Sequence, residues 1–152
     1  MPTDATPADP IPIDDEAFRR VVEEFIPFNR YLGLKLEAFD LVHKTLTTRL
    51  TLRPEYVGNP VRQMPHGGII SFMIDATAGS AAALAQGDMR HIDKVATIDM
   101  RVDYLKASKG KVLTATAKVV RSGNRVVMVR TDVHDDLEVM VAAGSNVFHI
   151  VK

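Results

Sequence analysis

One uninterrupted apolar stretch, residues 66–85 (HGGIISFMIDATAGSAAALA), constrains this chain more than any other feature. It opens on a turn signal, Pro65-His66-Gly67-Gly68, and holds no proline thereafter. At 1.5 Å per residue it has the length for a helix of roughly 27 Å. Ile69, Ile70, Phe72, Met73, Ile74, Ala76, Ala78 and Ala81 are spread around that helix rather than along one stripe. A helix apolar on nearly all sides is buried. The stretch is short for a membrane span, carries Asp75 near its middle and lacks flanking cationic and aromatic anchors, so the protein is expected to fold around it in water. Gly68, Ser71, Asp75 and Gly79 follow one another at helical spacing and share a face. All but Asp75 are small, so another backbone or a ligand can come close there.

The segments around this helix read as strands. Residues 34–39 and 43–52 alternate apolar and polar positions, with a short connection between them and Pro54 after the second. Residues 54–65, with Gly58, Pro60 and Pro65, read as a loop delivering the chain to the helix. Four more strands are predicted over 95–105, 112–120, 125–134 and 139–151. Strict alternation in the first of these puts Thr97, Asp99, Arg101 and Asp103 on one face. Arg121-Ser122-Gly123-Asn124 forms a hairpin turn. Near the N-terminus, Asp14 and Asp15 offer a cap for a short amphipathic helix carrying Phe18, Val21, Val22, Phe25 and Ile26 and ending by Pro27. Residues 1–13, with four prolines, read as a flexible tail, leaving 14–152 as one domain. No parallel β-α-β alternation is present. The expected class is therefore α+β, a curved, mostly antiparallel sheet of about six strands wrapped around one long central helix.

Composition narrows the function. Nineteen basic and nineteen acidic residues give no electrostatic case for nucleic acid or an anionic membrane. The chain has no cysteine, which excludes thiolate catalysis, disulfides and Cys-based zinc sites. Five scattered histidines show no paired ligand spacing, so no metal and no cofactor is expected. The first cation is Arg19 and no early apolar block precedes it, so neither a secretory signal nor a transit peptide is read, and a cytoplasmic location is expected.

His66-Gly67-Gly68, with Asp75 nine positions after the histidine, resembles the hotdog-fold acyl-CoA thioesterases of the phenylacetate-degradation type. Thr97-Ile98-Asp99-Met100, followed by Val102-Asp103-Tyr104-Leu105-Lys106-Ala107, is similar to that family's third strand, and Arg121-Ser122-Gly123-Asn124-Arg125 to its next hairpin. The resemblance implies a homodimer, often paired into a dimer of dimers, with active sites at the subunit interface. It implies acyl-CoA as substrate and Asp75 as the catalytic carboxylate, acting as general base or as nucleophile. It implies that the Gly67 N–H polarises the thioester carbonyl, with His66 as a helper. Thr97 matches a Ser or Thr that the partner subunit supplies. Family members often place Asn or Gln six residues before the histidine; here that position is Pro60, and Asn59 or Gln63 stands for the water-holding residue.

The residues support this chemistry independently. Free N–H groups at a helix start, with the helix dipole behind them, suit a developing oxyanion, and Gly67 and Gly68 have no Cβ to obstruct approach. Phe72, Met73 and Met64 are candidates to line an acyl pocket. Arg121, Ser122, Gly123 and Arg125 are either a solvated hairpin or, with Lys106 or Lys109, a grip on CoA phosphates. Two alternatives share the scaffold: a hydratase or dehydratase acting on acyl thioesters, and a non-catalytic acyl-CoA-binding module.

Overall fold

The structure, a computed structural model, describes residues 9–151. The Asp14 carboxylate accepts a hydrogen bond from the Ala17 N–H at 2.7 Å and starts helix α1 (Asp15–Arg20). The coil then widens into one π-helical segment over Val21–Phe25, where the Ile26 N–H reaches the Val21 carbonyl at 3.2 Å. Pro27 follows and has no N–H to continue the ladder. The buried Asn29 side chain donates instead to the Val22 carbonyl at 2.9 Å. Pro27 opens a second short helix, α2 (Pro27–Leu32), which stops at Gly33 in the left-handed conformation, φ 76°.

Strands β1 (Lys35–Asp40) and β2 (Thr45–Thr51) follow, then a small hairpin of β3 (Val57–Asn59) and β4 (Met64–Pro65) within the expected loop. The central helix α3 spans Gly67–Leu84. β5 (Val95–Tyr104), β6 (Val112–Ser122), β7 (Val126–Asp135) and β8 (Met140–Ile150) complete the fold. Six strands form one sheet in the order β1-β2-β6-β7-β8-β5, every neighbouring pair antiparallel.

Alternate residues of that sheet face α3. They include Leu46 and Leu50, Leu113 and Ala115, Val127 and Val129, and Ala142 and Phe148, all buried against Met73, Ile74 and Ala78. A leucine, valine or phenylalanine side chain stabilises the fold by about 1.5–3 kcal/mol when fully buried, and this burial holds α3 against the sheet. Helix and sheet approach closely at β8, where a Cβ on Gly144 would stand 2.3 Å from Ile74 Cγ2. The one hydroxyl that α3 turns toward β2 is satisfied: Thr77 donates to the Met73 carbonyl at 2.5 Å and meets the Thr48 hydroxyl at 2.6 Å.

The edge strand β5 departs from strict alternation. A bulge lies between Thr97, opposite Phe148, and Asp99, opposite Val147. The faces therefore exchange at Ile98. Thr97 shares the helix-facing side with Met100, Val102 and Tyr104, while Asp99, Arg101 and Asp103 point away.

Residues 1–8 of the expected tail lie outside the described residues. Further along, the Ile11 N–H donates to Asp88 Oδ1 at 3.2 Å, the Met89 N–H donates to the Ile11 carbonyl at 3.0 Å, and Ile13 packs on the core. The π-helical segment and α2 lie over the open side of α3, where Phe28 meets Phe72 edge to face with ring centroids 5.0 Å apart.

Candidate active site

That cover encloses a cleft of about 320 Å³. Its floor is α3, through Phe72, Asp75, Ala76, Gly79, Ser80 and Ala83; Val21, Val22, Ile26 and Phe28 roof it, and Thr97 and Phe148 wall it from the sheet. Apart from Asp75, Thr97, Ser80 and Asn29 the lining is apolar. Asp75 is half-buried. Its Oδ1 accepts from the Thr97 hydroxyl at 3.0 Å and from Asn146 Nδ2 at 3.3 Å. Oδ2 has no hydrogen-bond partner among the described residues. A carboxylate held by one oxygen and open at the other can take a proton or attack an electrophile without first breaking a protein contact.

Thr97 reaches Asp75 within one chain, whereas the resemblance has it arrive from a partner subunit. It can do so because the bulge at Ile98 starts immediately after it, leaving Thr97 on the helix-facing side opposite Phe148.

The start of α3 is a second polar centre. His66 is the N-cap, and its Nδ1 accepts from the Gly68 N–H at 2.8 Å, so the imidazole must be unprotonated at that nitrogen. The Gly67 N–H has no partner among the described residues. Tyr104, matched above only as part of a strand motif, stands over it: a Cβ on Gly67 would be 3.3 Å from the tyrosine ring. The Tyr104 hydroxyl donates to the Gly67 carbonyl at 3.0 Å and, having spent its proton there, accepts from Ser71 at 2.5 Å. The signal for Tyr104 was its place on β5, but only the changed parity after the bulge turns it toward the helix. Gly58 supports the same corner, since a Cβ there would be 2.7 Å from the His66 Cα.

These two centres are eight residues apart on one straight helix, a rise of roughly 12 Å. No single carbonyl can touch both the Gly67 N–H and the Asp75 carboxylate of the same chain.

The remaining candidates are dispersed. Asn59 Oδ1 accepts from the Val61 and Arg62 N–H groups at 3.1 and 3.0 Å, and Gln63 Nε2 donates to the Pro60 carbonyl at 2.6 Å. Both thus shape the turn between β3 and β4. Met73 is fully buried and does not line the Asp75 cleft, and Met64 lies not with Phe72 but in a separate groove beside Gly67, Tyr104 and Lys106. Arg121, Gly123 and Arg125 line a shallow depression at the β6–β7 hairpin, away from the Asp75 cleft. Neither arginine forms an ion pair among the described residues.

Comparison with known proteins agrees with this architecture. The chain is 30% identical over 149 residues to the medium/long-chain acyl-CoA thioesterase YigI of Salmonella typhimurium, covering 90% of this chain and 95% of that protein. The Escherichia coli K12 protein of the same name matches to the same extent. A crystal structure from Shewanella oneidensis, described as related to the thioesterase superfamily, superposes with a TM-score of 0.79 at 28% identity, over 90% of this chain and 94% of that one. The family model of the thioesterase superfamily matches residues 64–142, from β4 into β8, and by that match and those relatives the chain belongs to the thioesterase superfamily.

Proposed function

We propose that the protein hydrolyses acyl-CoA thioesters to the free acid and CoA, with the acyl chain lying in the cleft between α3 and its helical cover. The observation that carries this is Asp75, held on Oδ1 by Thr97 and Asn146 and unengaged on Oδ2, on the floor of an apolar cleft of about 320 Å³. The curated relatives' names extend the reading to medium and long acyl chains, which a largely apolar cleft suits.

In the water route, Asp75 Oδ2 takes a proton from water as the oxygen adds to the thioester carbon. Negative charge develops on the carbonyl oxygen, and a helix-start N–H donates to it. Collapse breaks the C–S bond and the CoA sulfur leaves as thiolate. In the nucleophilic route Oδ2 itself attacks, giving a mixed anhydride that water then opens. The N–H donor in this proposal is Gly67 of a second copy, because Gly67 and Asp75 of one chain are too far apart along α3 to share a carbonyl. Two copies with antiparallel α3 helices would bring each Gly67 to the other's Asp75. This is also the role we give the exposed edge strand β5, where Ile98 is 58% exposed. The site is thus proposed to be completed by a homodimer.

The test is thiol release from a panel of acyl-CoAs, run on the wild type and on Asp75→Asn. The asparagine can accept both hydrogen bonds at Oδ1 but is no base, so kcat should fall at least about 10²-fold with the fold retained. Wild-type turnover by Asp75→Asn would overturn the assignment. Single turnover in ¹⁸O water tests the nucleophilic route: label in Asp75 shows an anhydride opened at the Asp75 carboxyl carbon, whereas direct attack of water labels only the free acid.

A further inference from the structure

We propose that Asn146 is the positioning residue of the Asp75 carboxylate, acting from inside the core; this rests on the reading of Asp75 as the catalytic group. Asn146 is on β8, opposite Met100 of β5 and Val129 of β7, on the side of the sheet that faces α3. It is 1% exposed, in a layer otherwise made of Ala142, Gly144, Phe148 and Ile150. A primary amide buried there costs free energy unless its polar atoms are used. Only one of them is. Nδ2 donates to Asp75 Oδ1 at 3.3 Å, and Oδ1 of Asn146 is one of two buried side-chain polar atoms without a partner among the described residues. The other is the Thr131 hydroxyl, diagonal to it on β7. An asparagine that leaves its carbonyl unpaired in an apolar layer is retained for its N–H, and the group that receives that N–H is Asp75.

The geometry gives the contact a consequence beyond packing. Thr97 and Asn146 approach the same carboxylate oxygen from two paired strands, β5 and β8. Thr97 is exposed, whereas Asn146 is enclosed by β5, β7 and α3. The buried donor therefore fixes which oxygen of Asp75 is occupied and leaves Oδ2 toward the cleft.

Asn146→Leu keeps the branched shape with somewhat more bulk, suits the apolar layer and cannot donate. If Asn146 positions the carboxylate, kcat on the best acyl-CoA should fall about 10- to 100-fold with KM unchanged within about twofold, the scale for losing one hydrogen bond to a charged group. The melting temperature should hold or rise, since a buried unpaired oxygen is removed. If Asn146→Leu does not fold, Asn146→Ala, which removes the donor without adding a charge, carries the test with the same expected loss of kcat. Wild-type kcat in either folded variant overturns the proposal, as does a loss of activity that follows the loss of folded protein. Asp75→Asn, assayed alongside, separates the two levels. If it keeps turnover, both readings fall; if it loses turnover while Asn146→Leu keeps it, only the role of Asn146 falls.

Discussion

Replacing Gly79 with leucine tests where the acyl chain runs. Gly79 lies in the interior of α3, where glycine is about 1 kcal/mol worse than alanine. Nothing nearby requires it: a Cβ there would be 3.5 Å from Phe148 Cε1, an ordinary contact. Its side-chain position opens into the cleft one turn beyond Asp75. From Asp75 to Gly79 the helix rises roughly 6 Å, and to Ala83, the last α3 residue in the cleft, roughly 12 Å. With bonds of about 1.5 Å in a zigzag, each methylene advances about 1.3 Å, so about five carbons reach Gly79 and about nine reach Ala83. A leucine at 79 would exclude the last four or so methylenes, each worth about 0.8 kcal/mol on burial. The sum, about 3 kcal/mol, corresponds to a loss on the order of 100-fold in kcat/KM for decanoyl-CoA. Butanoyl-CoA should stay within about threefold, because its chain ends before the block. Thermal stability should be retained, since the helix gains propensity. The assay is thiol release across chain lengths, paired with a melting curve. An equal loss on short and long chains, or an unchanged profile, would refute the path along α3.

Gly144→Ala should destabilise by roughly 1–3 kcal/mol, because its Cβ would stand 2.3 Å from Ile74 Cγ2; denaturant unfolding measures it, and adding Ile74→Ala should cost less in that background than alone. Asp88 is held well below the usual carboxylate range by the side chain of Arg90, with the Arg90 and Ile11 N–H groups adding to the effect against the opposing pull of burial. A depressed carboxylate contributes stability above its unfolded pKa and loses it as pH falls toward the folded one, so Asp88→Asn should lower the melting temperature at neutral pH and narrow its gap to wild type below about pH 4. Replacing Arg121 and Arg125 together with alanine should raise KM for acyl-CoA more than it lowers kcat if the hairpin grips CoA phosphates; an unchanged KM would leave both as solvated charges.

The central helix and all six sheet strands were legible because both signals are local. The absence of a polar face marks α3, and alternation with turn residues marks the strands. What escaped depends on partners distant in the chain. The bulge at Ile98 is fixed by pairing with β8, so strict alternation misassigned Asp99, Arg101 and Asp103 and hid Tyr104. Asn146 meets Asp75 across 71 residues of sequence and reads locally as one more strand position. Helix α2 carries the proline-first, glycine-after signature but is only six residues long, too short for a periodicity to show. His66, Gly67 and Asp75 were legible as a set, yet their spacing on one helix does not by itself bring the glycine and the acid to one substrate. Met64 precedes the helix that carries Phe72, but the strand bearing Tyr104 divides their surroundings into two grooves.

The 12 Å step along α3 has a genetic consequence. If each site draws its acid from one copy and its amide donor from the other, two dead proteins can rescue each other. Asp75→Asn spoils the acid. Gly67→Pro spoils the donor, and the backbone is already suited to it once the Tyr104 ring gives by a few tenths of an ångström: position 67 is the first residue of the helix, where proline is accepted, and His66 has the extended ψ of 135° that a residue before proline requires. Mixed and allowed to exchange subunits, the pair would form hybrids in which one site carries both lesions and the other carries neither. Random pairing makes about half of the dimers hybrid, so about a quarter of all sites should work, although each variant alone is silent. Such intersubunit complementation has no counterpart in an enzyme whose site lies within one chain.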